Sequence, residues 1–250
     1  YWFLTVYVFL YILLPFVGIG LRRMTKQQLQ VSLVLLFSAF CLVKSILPFR
    51  LEEDSKGYDC IWYLCVFCAA AYLRRFGISF LQKKFRALLL YLIGVLGTFG
   101  EAMLLHLFYL RTGSLELILK IPYEYNHIFP FLASTGLFCL FLDSDIRGKA
   151  GSVAVKIAPY TLGVYLLHEN LGVRYAWQKW LGLDRIGGAV SLLLWTVIAV
   201  IVVFVLGILV DVIRKNICGG LHKIFLHIRP YRVLSEKIQT VDTMFKKEVI

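Results

Sequence analysis

A carboxyl group, Glu101, stands inside a long apolar stretch of the sequence, directly after Gly94-x2-Gly97-x2-Gly100. Glycines at this spacing allow the close approach of another helix or of a ligand. An ionisable group in apolar surroundings is costly unless it faces protein or a wet cavity, which makes it a candidate functional residue. Two interpretations stay open: Glu101 handles a proton or contacts a ligand, or it is a neutral carboxyl hydrogen-bonded to a neighbour.

A histidine and a glutamate, His168 and Glu169, end another apolar stretch, which Pro159 interrupts near its beginning. Histidine titrates near neutral pH and serves as an acid, a base or a hydrogen-bond donor. A His-Glu pair at the end of a membrane helix can also be hydrated without any further role. A functional pair and a merely solvated pair both fit the sequence.

The elements that must position these residues are seven apolar stretches, which take up most of the 250 residues. A helix of about 20 apolar residues crosses a hydrocarbon core roughly 30 Å thick. A chain that is 60% hydrophobic, with a mean hydropathy of +0.77, cannot hide its apolar surface in a soluble core of this size. We therefore predict an all-α, polytopic transmembrane helix bundle of about seven spans. The predicted spans are Tyr1–Gly20, Leu29–Leu47, Cys60–Leu73, Phe85–Leu110, Tyr125–Leu142, Val153–Val173 and Ala189–Val210.

Lys and Arg are distributed unevenly between the loops. Alternate loops, together with the segment after Val210, carry 19 of these residues on one side of the membrane and seven on the other. Because cytoplasmic loops hold the excess of Lys and Arg, we predict an outside N-terminus and a cytoplasmic C-terminus in a cell membrane. The net charge of +12 is mostly this asymmetry and needs no nucleic-acid partner. The expected domains are a transmembrane domain, 1–210, and a basic cytoplasmic tail, 211–250.

In this topology several polar and aromatic residues fall at a similar depth, at or near the outer face. We expect them to line a polar chamber that opens to the outside, with acceptor-site or supporting roles. These candidates are Trp2, Glu101, His127, His168 and Glu169.

A cationic loop lies at the opposite face. Its guanidinium and ammonium groups could hold the phosphates of a cytoplasmic donor such as coenzyme A, although the positive-inside bias alone also explains them. The donor-phosphate candidates are Arg74, Arg75, Lys83, Lys84 and Arg86. Cys65-x2-Cys68 has metal-like spacing but no second Cys/His pair nearby, so we predict no metal site.

The sequence begins within an apolar stretch, with no methionine, basic segment or cleavage site before it. This is not the pattern of a signal peptide. It predicts that the chain is a piece of a longer protein. If that protein starts in the cytoplasm, an outside Tyr1 predicts an odd number of further spans upstream.

Two stretches resemble the acyltransferase-3 family of integral-membrane O-acyltransferases. Trp2-Phe3-Leu4, followed by Tyr11-Ile12-Leu13-Leu14-Pro15, is similar to one family helix, and the segment from Tyr160 to His168 (YTLGVYLLH) is similar to a late one. The resemblance, which runs to about Val210, implies a protein of about ten helices. It also implies transfer of an acyl group, usually acetyl from acetyl-CoA, to a hydroxyl of a cell-surface glycan or glycolipid. No bound cofactor is expected, and membrane lipids and separate acyl-carrier or glycan-assembly proteins are the further partners.

The chain departs from the family at the catalytic signature, which is an Arg and a His eleven positions apart. The residues eleven positions before its histidines are Val95, Glu116, Ile157, Asp211 and Asn216. The resemblance therefore places the catalytic pair upstream of Tyr1, leaves the general base unassigned, and implies that this chain alone is inactive. An alternative stays open: a transporter or flippase of a lipid-linked sugar or small solute, with Glu101 coupling to protons.

Overall fold

The structure, a computed structural model, describes residues 2–46, 56–113, 119–142, 144–183 and 186–249, with side chains up to Thr243. Tyr1 and Leu47, which end two of the predicted spans, lie outside these residues. The described part of the chain is helical between its turns and loops and contains no strand. Six helical segments are long and apolar enough to cross a membrane, which confirms the predicted all-α membrane fold. They are Trp2–Arg23, Lys26–Ile46, Lys84–Thr112, Ile121–Leu142, Gly148–His168 and Ala189–Phe225.

The chain divides into two compact units, residues 2–145 and residues 146–246. The first unit contains α1 (Trp2–Arg23), α2 (Lys26–Phe37), α3 (Val43–Ile46), α4 (Cys60–Phe76), α5 (Lys84–Thr112) and α6 (Ile128–Leu142). The second unit contains α7 (Gly148–Ile157), α8 (Thr161–His168), α9 (Trp177–Trp180), α10 (Ala189–Phe225) and most of α11 (Arg229–Val249). The predicted third span is α4, whose 17 residues fall just short of a typical crossing length.

Within the first unit, α5 packs along α6 through small residues. A Cβ added to Gly94 would overlap the backbone of Ala133, and one added to Gly97 would overlap the Phe129 ring. The close approach predicted at these two glycines is confirmed. A Cβ added to Gly100 would have no neighbour within 4 Å, so among the described residues no helix approaches it closely.

Helices α2 and α3 form one continuous rod through a π-helical turn, Ser38–Leu42. The extra residue in such a turn rotates the residues that follow it around the helix axis, and π turns are frequent at functional sites. Here the Ser45 hydroxyl donates to the carbonyl of Cys41 at 2.8 Å and accepts from the backbone N–H of Ile128 at 2.9 Å. The end of the rod is thereby joined to the first residue of α6.

Two predicted helix ends were wrong. The fifth span was expected to begin at Tyr125, but a 3-10 turn, Ile121–Tyr123, precedes a non-helical loop and α6 begins at Ile128. In this loop the side chains of Glu124 and Asn126 both contact Lys44. The sixth span was expected to reach Val173, but α8 ends at His168. Turns follow this end: the Gly172 N–H donates to Oδ1 of Asn170 at 3.0 Å, and the Val173 and Arg174 N–H groups donate to the Asn170 carbonyl.

In the second unit, α8 packs against α10 where a glycine makes room for a carboxylate. A Cβ on Gly163 would overlap the Asp211 carboxylate, which is only 4% exposed. Asp211 accepts a 2.6 Å hydrogen bond from Nε of Arg214. Val210, where the transmembrane domain was predicted to end, lies within α10, so that domain division stays a prediction.

Candidate functional site

A buried ion pair lies at the end of the first unit that contains the start of α4 and α6. Nζ of Lys44 lies 2.7 Å from Oε2 of Glu124 and donates to Oδ1 of Asn126 at 2.8 Å. All three residues are buried, with exposures of 8%, 4% and 4%. A buried ammonium is tolerated only when it is paired and hydrogen-bonded, and these two partners supply both. Lys44 is therefore fixed to the loop that precedes α6.

The sequence builds this pair from two elements. The π turn and α3 present Lys44 and Ser45 next to each other, and Ser45 holds the start of α6. Glu124 has extended backbone, φ −72° and ψ 141°, so its side chain and that of Asn126, two residues on, share a direction. The loop thus turns two polar side chains towards one lysine.

Two of the predicted site residues meet beside this pair. Nε2 of His127 lies 3.4 Å from Oε1 of Glu101, and His127 is 1% exposed. Among the described residues neither ring nitrogen of His127, nor Oε2 of Glu101, has a hydrogen-bond partner. Buried polar atoms are nearly always hydrogen-bonded. This pair therefore has the capacity to bind a further polar group. Nε2 of His127 faces Glu101, so Nδ1 is the atom left to bind that group.

The third predicted site residue of this unit, Trp2, opens α1 and lies among tyrosine rings. Its ring centroid is 4.4 Å from that of Tyr58, 5.8 Å from Tyr125 and 6.1 Å from Tyr63. Tyr125 stands between the two residues that bind Lys44. The structure therefore brings Trp2, through Tyr125, to the same loop that carries Glu124 and His127.

His168 and Glu169 belong to the second unit and make their own network there. Nδ1 of His168 lies 3.2 Å from the Val164 carbonyl and Nε2 lies 3.4 Å from Oε1 of Glu169. Nε of Arg174 lies 3.3 Å from Oε2 of the same carboxylate. Both ring nitrogens of His168 thus face oxygen atoms, and Glu169 links a histidine to an arginine. That these residues share a chamber with Glu101 stays a prediction.

The five cationic candidates, at the end of α4 and the start of α5, separate into two groups. Arg74 and Arg75 line a cavity of about 410 Å³ that also includes Gly77 and Gln82. Arg75 donates to the Leu21 carbonyl at the end of α1. The remaining candidates do not line this cavity: Lys83, Lys84 and Arg86 lie at the start of α5. Only the arginines are therefore positioned to share one anionic ligand there.

An apolar cavity of about 340 Å³ lies between α4 and α6. Its lining includes Tyr63, Ala69 and Leu73 of α4, Phe138 of α6, and Tyr125 of the loop before α6. Leu73 is also a wall of the arginine-lined cavity. Leu73 therefore borders both cavities, and the residues that line them are found from the cationic end of the first unit to the polar loop.

Sequence reasoning missed Lys44 as a site residue, although a signal was present. Lys44 is a charged residue inside a predicted span, and the rule that singled out Glu101 applies equally to it. Tyr58 and Arg174 were also missed, and nothing in their local sequence marks them, because their significance comes from tertiary contacts.

Comparison with known proteins identifies the family. The sequence model of the acyltransferase-3 family, described as an acyltransferase domain, matches residues 1–212. No curated protein and no solved structure shows a significant match to the chain. The match covers most of the 250 residues and includes both stretches that carry the resemblance. The chain belongs to the acyltransferase-3 family of membrane-bound enzymes that transfer acyl groups.

Proposed function

We propose that the protein transfers an acyl group, acetyl in the simplest case, from acyl-CoA to a hydroxyl of a cell-surface glycan or glycolipid. We propose further that His127 and Glu101 hold that hydroxyl. The observation that carries this assignment is the buried His127 ring, which has Glu101 beside Nε2 and no hydrogen-bond partner at Nδ1 among the described residues. Family membership supports acyl transfer over the transporter alternative.

The proposed role of the pair is to position the acceptor. Nδ1 of His127 accepts the hydrogen bond of the acceptor hydroxyl, and the Glu101 carboxyl fixes the ring from the other side. The hydroxyl oxygen then attacks the thioester carbonyl carbon, the carbon–sulfur bond breaks, and the sulfur takes up the proton that the hydroxyl loses and leaves as the free thiol. Because His127 is 1% exposed, we propose that side chains around its ring move aside to admit the acceptor hydroxyl, while the loop backbone stays held through Lys44.

The donor is proposed to approach from the opposite end of the first unit. Arg74 and Arg75 offer two guanidinium groups, which suit the bidentate recognition of phosphate. From Arg74 to Trp62 the α4 helix rises about 18 Å at 1.5 Å per residue. A phosphopantetheine arm is long and thin enough to follow that path through the apolar cavity. Lys83, Lys84 and Arg86 then add to the positive potential around the entrance.

The orientation that this scheme needs is the one predicted from charge, with Trp2 and the α6 loop outside. A Tyr123→Cys variant should react with an impermeant thiol reagent added to intact cells, whereas Gln82→Cys should react only after permeabilisation. The background for both variants lacks the exposed Cys218. Labelling in the reverse pattern would place the acceptor site in the cytoplasm and exclude an extracellular acceptor.

The test of the proposed function measures the ester-linked acyl groups on surface glycans, which alkali releases. Cells that lack the protein are compared with cells to which the protein has been returned. Returning the full-length wild-type protein should restore the esters, and the variants below are made in the same full-length protein. His127→Ala should reduce acylation by about 10- to 100-fold, the effect of losing a buried hydrogen bond of about 1–3 kcal/mol, while His127→Gln should keep part of it.

The matched control is His106→Ala, since His106 lies on α5 with Glu101 but is exposed. It should acylate as the wild type does, at equal abundance in the membrane. An unchanged ester content in cells without the protein would refute the acylation. A fully active His127→Ala variant would leave the acylation standing and refute the assigned site.

A further inference from the structure

Three aromatic residues from three separate segments converge above the buried ion pair. Trp2 begins α1, Tyr58 precedes α4, and Tyr125 precedes α6. Ring centroids are 4.4 Å apart for Trp2 and Tyr58, and 4.9 Å apart for Tyr58 and Tyr125. Both contacts are edge-to-face, at 82° and 75°, which is a favoured geometry for aromatic pairs. We refer to these three residues as the aromatic platform.

The platform is held in place by backbone contacts. The Tyr125 N–H donates to the Lys56 carbonyl at 3.1 Å. Lys56 and Gly57 both have positive φ, 62° and 78°, and a Cβ on Gly57 would lie 2.8 Å from both the Asn126 nitrogen and the Tyr125 Cβ. Only glycine allows this approach. The platform is therefore fixed relative to Asn126, and through it to Lys44.

The rings remain accessible although they pack against one another. Tyr58 is 40% exposed and Tyr125 is 51% exposed. Aromatic residues that only anchor a protein at the membrane interface form a belt around it, but these three meet at one point, above the loop that carries His127. An exposed aromatic face with polar groups near it is suited to a sugar ring, whose C–H face packs on the aromatic ring while its hydroxyls point outwards.

We propose that the aromatic platform binds a pyranose ring of the acceptor, next to the sugar whose hydroxyl is acylated. This inference rests on the proposed function for the identity of the acceptor, and it adds the residues that recognise it. Tyr58 and Tyr125 supply the stacking surface, and Trp2 supports it from behind. The platform then determines which sugar is presented to His127.

The test separates binding from acylation. The full protein in phosphatidylcholine nanodiscs is mixed with methyl glycosides of glucose, galactose, rhamnose and N-acetylglucosamine, and saturation-transfer NMR measures binding. At least one glycoside should bind to the wild type. Tyr58→Ala and Tyr125→Ala should each weaken that binding by about tenfold or more, whereas Tyr125→Phe, which keeps the ring, should bind normally. Two alanine sites are used so that one misfolded variant does not decide the result.

The matched control is Tyr123→Ala, because Tyr123 ends the 3-10 turn directly before this loop and is 64% exposed but is not part of the platform. It should bind as the wild type does. An equal loss of binding in this control, or normal binding in both platform variants, would overturn the proposal, as would the failure of every glycoside to bind. If a glycoside binds through the platform but the protein has no acylation activity, the platform is supported and the proposed function is refuted.

Discussion

Removal of the Lys44 ammonium should destabilise the protein far more than the loss of a surface charge. Lys44→Met keeps most of the side-chain volume but leaves the Glu124 carboxylate, 4% exposed, without the ammonium that lies 2.7 Å away. Breaking a buried pair by removing one partner costs about 3–5 kcal/mol, because the other charge is left uncompensated. We expect a loss of this size in the free energy of unfolding.

The double variant Lys44→Met/Glu124→Gln should recover most of that loss. Replacing both members of a buried pair by neutral groups of similar volume is often neutral or stabilising. Unfolding of the purified protein in mixed micelles, titrated with sodium dodecyl sulfate and followed by tryptophan fluorescence, gives the free energies for a complete double-mutant cycle. The coupling between the two positions should then be about 2 kcal/mol or more.

Arg174→Met is the comparison variant, because the Arg174 side chain is 43% exposed and its partner Glu169 is 20% exposed. An exposed pair of this kind contributes about 0–1 kcal/mol. A cost below about 1 kcal/mol for Lys44→Met, or a double variant as unstable as the single one, would refute the interpretation of Lys44 and Glu124 as a coupled buried pair.

Two further predictions concern the second unit. Gly163→Ala should lower the free energy of unfolding by about 1–3 kcal/mol, because the new Cβ would overlap the Asp211 carboxylate. Gly187→Ala, where the added Cβ meets nothing within 4 Å, should be neutral, and equal stability of the two variants would contradict the assigned packing. His168→Ala should reduce glycan acylation by on the order of 10²-fold at unchanged membrane abundance; normal acylation in this variant would mean that His168 only ends its helix.

The membrane helices could be predicted from the sequence because their signal is local. About 20 consecutive apolar residues identify a span whatever lies next to it, and six such helices are present in the described residues. The start of α6 could not be predicted in this way. Tyr125, Asn126 and His127 directly adjoin the apolar run that begins at Ile128, and hydropathy does not report that Glu124 and Asn126 turn towards a lysine.

The candidate site was only partly predictable, for a geometric reason. Glu101 and His127 were each chosen for their type and depth, but their meeting depends on how α5 and α6 are rotated against each other. That rotation is set by close packing at Gly94 and Gly136, where an added Cβ would overlap the backbone of the facing helix. The rotation of Lys44 towards Glu124 depends on the π turn, and the sequence carries no clear signal for such a turn.

The loop from Glu124 to His127 links the stability of the first unit to its proposed chemistry. Its side chains alternate in direction: Glu124 and Asn126 bind Lys44, whereas Tyr125 joins the aromatic platform. His127 then faces Glu101. A flexible loop would lose conformational entropy each time an acceptor bound. The buried ion pair orders the loop when the protein folds, so less entropy is lost on binding. On this argument the charges of Lys44 and Glu124 never touch the substrate, yet they determine how well Tyr125 and His127 are placed to receive it.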